Sequence, residues 1–205
     1  MDGVLVDSEP AFYDAVNLVL AEEGRSIPFE RYQRLLGTSV EETWRGVMAM
    51  LTLRGDLQGY LERYDGVLID CLRSERPPLP GVVELLNELD RRAVPYAVAS
   101  SSWQSWVDVV LGSAGLRDRF RVFSTPDVVE RQKPAPDTYL KAAGLLSIAP
   151  EHCIAVEDTP PGIAAAKAAG MFAVHVRASS TAFPPIDGAD LVIESLDAFP
   201  LAMLA

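Results

Sequence analysis

The 205 residues are 49% hydrophobic and hold 18 basic against 29 acidic residues, a net charge of −11. That hydrophobic share supplies a sizeable core and argues against disorder. The acidity argues against nucleic acid or an anionic membrane as the main partner, since both need a basic face. A small anionic substrate stays open, because local cations or a metal ion can reverse the field inside a cleft.

In chain order, residues 4–6 are a short apolar triplet, expected as the end of a buried first strand. Residues 11–24 carry Phe12, Val16, Leu18, Leu20 and Ala21 among polar residues, which predicts an amphipathic helix. Further helices are predicted over 28–36, 39–53 and 57–74, with no strand between them. The proline-rich run at 76–81 then marks a boundary. Beyond it the pattern changes to short apolar strands (95–99, 121–123, 153–156, 172–176 and 191–193) alternating with helices (82–92, 103–113, 136–146 and 160–169). That alternation predicts an α/β fold, with a parallel sheet flanked by helices on both faces. The all-helical stretch is expected to be a cap inserted into that core.

The two cysteines, Cys71 and Cys153, are far apart and lack His or Cys neighbours at metal-site spacing. A reducing, cytoplasmic setting is expected. No apolar run is long enough to span a membrane, and the acidic start does not read as a signal peptide.

In such sheets, ligands bind at the carboxyl ends of the strands. The polar groups expected there are Asp2, Ser100, Lys133 and the pair Glu157-Asp158. Each has a plain alternative. Asp2-Gly3 is a common turn pair, and Ser100 to Ser102 can cap the next helix. Lys133 can be a solvated loop lysine. Glu157-Asp158 can favour the N-terminus of the helix from Pro160. Together they match the needs of phosphoryl transfer through an aspartate. Glu157 and Asp158 offer a face for Mg²⁺, which takes one or two carboxylates plus substrate oxygens. The Ser100 hydroxyl and the Ser101 N–H can hold phosphate oxygens. Lys133, one of three lysines in the chain, can balance the anionic charge. Asp2 can protonate the leaving oxygen and then activate water.

Four stretches carry a resemblance: MDGVLVDSEP (1–10), VASSS (98–102), KPAPDTYL (133–140) and VEDTPPGIAAAKAAGM (156–171). In this order they resemble the motifs of the haloacid dehalogenase-like hydrolase superfamily, in its phosphatase and β-phosphoglucomutase branch with a helical cap. The resemblance implies a Rossmann-like core at 1–8 and 78–205 and a cap at 9–77. It implies Asp2 and Lys133 as catalytic residues, and Gly3, Ser100, Ser101 and Lys133 at the phosphate. Asp2, Glu157 and Asp158 are implied as ligands of Mg²⁺. The substrate class implied is a small phosphorylated metabolite, with the protein a monomer or homodimer.

The chain also departs from the family pattern. The attacking aspartate of the family would precede Met1, as would the apolar strand leading to it. The 205-residue chain as written is therefore expected to have little turnover. A start codon placed too far downstream and a truncated relative are the two explanations, and the first is favoured because the other site residues are retained. Asp2 separates this chain from the dehalogenases, which lack the second aspartate of the motif. β-Phosphoglucomutase-like members resemble it but carry a His at the position of Phe12 and a basic residue where Val40 stands. A monophosphate phosphatase is the expectation. A sugar-phosphate mutase and a non-catalytic binding relative are the alternatives.

Overall fold

The computed structural model describes residues 1–178 and 184–204. The chain divides into two compact units, Ser8–Ser74 and Met1–Asp7 with Glu75–Ala205.

The first unit is helical. It holds α1 (Glu9–Ala21), α2 (Phe29–Tyr32), α3 (Val40–Leu51) and α4 (Leu57–Leu72). α3 begins in a capping box: Ser39 Oγ accepts from the Glu42 N–H and the Glu42 carboxylate accepts from the Ser39 N–H. α4 is capped by Asp56, which accepts from the Gly59 N–H at 2.8 Å. α1 packs on α4 through Ala15, Val16, Val19 and Leu20, spaced for one helical face. Leu18, expected on that face, instead points outward. Trp44 is fully buried and stacks on Tyr60 at 5.1 Å, with Tyr64 edge-on at 5.7 Å. These aromatics form the core of the unit.

The second unit is α/β. It carries α5 (Val82–Arg91), β1 (Val98–Ala99), α6 (Gln104–Ser113), β2 (Phe123–Ser124), α7 (Asp137–Leu146), β3 (Ile154–Glu157), α8 (Pro160–Ala168), β4 (Phe172–Val176) and β5 (Leu191–Ile193). All strand pairings are parallel, as strands joined through helices require. The single sheet expected from the sequence is, among the described residues, two: β1-β2, and β3-β4-β5. Residues 4–6, expected to end a first strand, form no named strand. Gly3 adopts a left-handed φ of 67° and donates its N–H to Val6 O, while Leu5 N–H bonds Met1 O at 2.8 Å. This closes residues 1–6 into a turn, and Leu79 N–H then ties the segment after the insert to Leu5 O at 2.9 Å.

Two strands are shorter or displaced from their expected spans. β1 begins at Val98 rather than residue 95, where a proline has no N–H to give a ladder. β2 lies at Phe123–Ser124, two residues beyond the start of the expected 121–123, because Val98 N–H takes Val122 O and Ser100 N–H takes Ser124 O. α8 packs against β3 and β4, with Ile163, Ala165 and Ala166 buried beside Ala155 and Ala173. Among the described residues, no helix is long and apolar enough to cross a membrane.

Candidate active site

The carboxyl ends of β1 and β3 and the turn at residues 1–6 meet within the α/β unit. β1 delivers Ser100 and Ser102, both buried. Ser100 Oγ accepts from the Ser102 N–H at 3.1 Å, a local bond that folds the loop on itself. Ser102 Oγ then donates to Asp2 Oδ2 at 2.8 Å across 100 residues of sequence. The serines do not cap α6: its N-cap is Trp103, with no side-chain cap bond. Ser101 is exposed at the head of the loop. Gly3, expected at the phosphate, has its N–H committed to Val6 O and supplies the left-handed bend of the turn.

Lys133 is not a solvated loop lysine. Its side chain is only 7% exposed, and its peptide bond to Pro134 is cis. Nζ donates to Ala99 O at the end of β1 (3.2 Å), to Glu157 Oε1 at the end of β3, and toward the Tyr139 hydroxyl of α7 at 3.5 Å. One ammonium thus joins both sheets.

Glu157 is held from every side. Its Oε1 accepts from Lys133 and from the Tyr139 hydroxyl at 2.6 Å. Its Oε2 accepts from the Asp158 N–H and the Thr159 hydroxyl, each at 3.2 Å. The same Thr159 Oγ1 accepts from the Gly162 N–H and so caps α8. The helix-capping role open to Glu157-Asp158 therefore falls to Thr159.

The electrostatics follow from burial. Burial opposes the charge on Glu157, yet the Lys133 cation, the Met1 amino group and the hydrogen bonds from Lys133 and Tyr139 together outweigh it and hold the carboxyl at about 2. Asp158 is pushed the other way, to about 7, by burial and by the Glu157 charge, with Asp2 adding repulsion. Burial and Glu157 also push the Tyr139 phenol well up, so it stays a donor.

Three carboxylates (Asp2, Glu157 and Asp158) thus stand against Lys133 and the Met1 amino group. Among the described residues, no group of three or more His, Cys, Asp and Glu side chains is arranged to hold a metal ion. Mg²⁺ does not need such a cage, because it takes one or two carboxylates and completes its shell with water or substrate oxygens. The charge excess at Asp2 and Asp158 fits that demand. Glu157, with both oxygens engaged by protein donors, fits the fixing of Lys133 instead.

Four participants escaped the sequence reading as functional groups: Ser102, Tyr139, Thr159 and Gly162. All four lie inside stretches quoted for the resemblance. The available signal was a tyrosine six residues after Lys133 and a Thr two residues after Glu157, each one turn or loop from a candidate charge.

A profile of haloacid dehalogenase-like hydrolases matches residues 1–176. Fructose-1-phosphate phosphatase YqaB of Escherichia coli is 35% identical, over 86% of this chain and 93% of its own length. Beta-phosphoglucomutase of Bacillus subtilis is 32% identical, over 100% of this chain and 91% of its own. Among solved structures, a mutant of CbbY from Rhodobacter sphaeroides in complex with xylulose-(1,5)bisphosphate superposes with a TM-score of 0.85 at 26% identity, covering 100% of this chain and 96% of that one. Family profile, relatives and architecture agree, and the chain belongs to the haloacid dehalogenase-like hydrolases.

Proposed function

We propose that this chain provides the frame of a Mg²⁺-dependent phosphomonoesterase acting on a small phosphorylated metabolite. The observation that carries this reading is the 2.8 Å bond from Ser102 to Asp2. It brings an acid from the start of the chain to the hydroxyl loop at the end of β1, while Lys133 reaches that same strand end from the other side. Substrate phosphate is held by the Ser100 hydroxyl, the Ser101 N–H and Lys133. Asp158 and Asp2 would hold Mg²⁺, which supplies positive charge against the anionic phosphoryl oxygens.

In this reading an aspartate carboxylate attacks phosphorus and the bond from phosphorus to the leaving oxygen breaks. Asp2 gives its proton to that oxygen, then takes one from water as the water attacks phosphorus of the aspartyl phosphate; the bond from phosphorus to the aspartyl oxygen breaks, releasing inorganic phosphate and restoring the carboxylate. The position of the attacking carboxylate in the motif is the one before Met1. A polypeptide without that carboxylate is expected to bind phosphate without turning it over, because no acyl phosphate can form. Phe12 and Val40 stand where the mutase-like members carry a His and a basic residue, which favours a monophosphate over a bisphosphate.

The test compares the 205-residue polypeptide with one extended at its amino end by an apolar run closing in aspartate. Both are assayed with Mg²⁺ on sugar phosphates and phosphoglycolate. Turnover confined to the extended protein and abolished by Asp2→Asn is expected. Strong Mg²⁺-dependent hydrolysis by the unextended protein would overturn the assignment. Transfer of phosphate between sugar positions would indicate the mutase, and binding without turnover by both forms would indicate a non-catalytic relative.

A further inference from the structure

Two loops leave the carboxyl ends of the paired strands β1 and β2, the edge where parallel sheets receive ligands. Each exposes one large apolar side chain. Trp103, directly after Ser102, is 45% exposed, and Val128 is 49% exposed. Asp127 binds the two loops together: its Oδ2 accepts from the Gln104 N–H at 2.9 Å and from the Thr125 hydroxyl at 2.9 Å. Trp103 is also fixed from its own helix, since its carbonyl accepts from the N–H groups of Trp106 and Val107 at 3.0 Å. An apolar ring is therefore kept in water on a braced backbone, one residue from the hydroxyl that bonds Asp2.

The leaving oxygen of the substrate must lie at Asp2 to take its proton. The group attached to that oxygen emerges beside the loop that carries Trp103. Exposing an indole there loses the burial that the other two tryptophans have, Trp44 and Trp106 both being buried. Covering it with the face of a ring recovers that burial and adds stacking.

We propose that Trp103 is a specificity-determining residue, a platform for the leaving group, and that the site takes phosphomonoesters whose alcohol carries a ring with an apolar face. This rests on the phosphatase reading above. A sugar ring with its C–H face and a nucleobase share that chemistry. Short acyclic alcohols lack it.

The experiment uses tryptophan fluorescence of the 205-residue protein, because acrylamide reaches Trp103 and not the two buried indoles. Glucose 6-phosphate, uridine 5′-monophosphate and glycerol 3-phosphate are titrated with Mg²⁺. Both ring compounds are expected to protect against quenching and to bind at least about fivefold more tightly than glycerol 3-phosphate, the lower end of what ring stacking contributes. Protection by one ring compound alone also supports the proposal and names which ring is recognised. By calorimetric titration, which needs no accessible indole, Trp103→Ala should remove that advantage and leave glycerol 3-phosphate binding unchanged, while Trp103→Phe should restore most of it. Equal affinities with no protection, or an equal loss for all three in Trp103→Ala, would overturn the platform but leave the phosphatase reading intact. Binding of none of the three would overturn both.

Discussion

Gly162 lacks a side chain where the Glu157 carboxyl needs the space: a Cβ built on Gly162 would lie 2.0 Å from Glu157 Cδ. The third residue of α8 and the last of β3 are thereby locked together. The pair decides where Lys133 points, because Glu157 Oε1 is its partner. Gly162→Ala is expected to separate two effects. Alanine favours a helix interior by about 1 kcal/mol over glycine, so the helix itself gains. The carboxyl must move, so phosphate affinity should fall about tenfold, on the scale of one misplaced charged hydrogen bond. Calorimetric titration with phosphate, beside a melting curve, checks both.

Tyr139 is expected to stabilise the fold through one bond. Its hydroxyl donates to Glu157 at 2.6 Å in a site closed to water. Tyr139→Phe keeps the ring and removes that donor. A loss of about 1.5–3 kcal/mol in urea unfolding is expected, the range for a hydrogen bond to a charged group.

Glu157→Gln leaves the Lys133 ammonium enclosed without its counter-ion. The expected cost is about 3–5 kcal/mol, as for other buried pairs broken from one side. Replacing both residues, Glu157→Gln with Lys133→Met, should recover much of that stability and none of the phosphate binding. Chemical denaturation of the two variants against the wild-type chain measures the difference.

Asp190 links stability to acid. Its carboxylate accepts the Ala173 N–H at 2.7 Å at the start of β4 and pairs with Lys167. The N–H bond, and then the Lys167 ammonium, hold its pKa below the usual carboxylate value. A depressed carboxylate stabilises the fold above the unfolded-state pKa of about 3.9 and loses that contribution as pH falls through the folded value. The urea midpoint should drop between pH 5 and pH 2, and Asp190→Asn should flatten that drop.

The element pattern was legible because the period of the apolar residues changes at the proline-rich run of 76–81. Helical spacing precedes it, and short β-rich runs follow. The polar site residues were legible from chemistry: Ser100 and the Glu157-Asp158 pair each sit after an apolar run, while Asp2 and Lys133 stood out by residue type and by the motifs around them. What sequence could not supply was the pairing. Nothing in the spacing says that Ser102 reaches Asp2 across 100 positions, or that Glu157 turns toward Lys133 and Tyr139. Those choices follow from the three-dimensional meeting of strand ends. The triplet 4–6 misled for a local reason: three apolar residues suit a strand, but the left-handed Gly3 before them turns the chain first.

Because no backbone ladder joins β1 to β3 among the described residues, the two halves of the α/β unit are coupled there by an ammonium and a carboxylate. Side-chain rivets yield independently of the ladders on either side. Amide protons of β3 to β5 should therefore exchange as one cooperative block and those of β1 and β2 as another. A phosphate ligand gripped by Ser100 and Lys133 would slow the first block and the second together, so occupancy of the site would be readable as a change in how the molecule breathes.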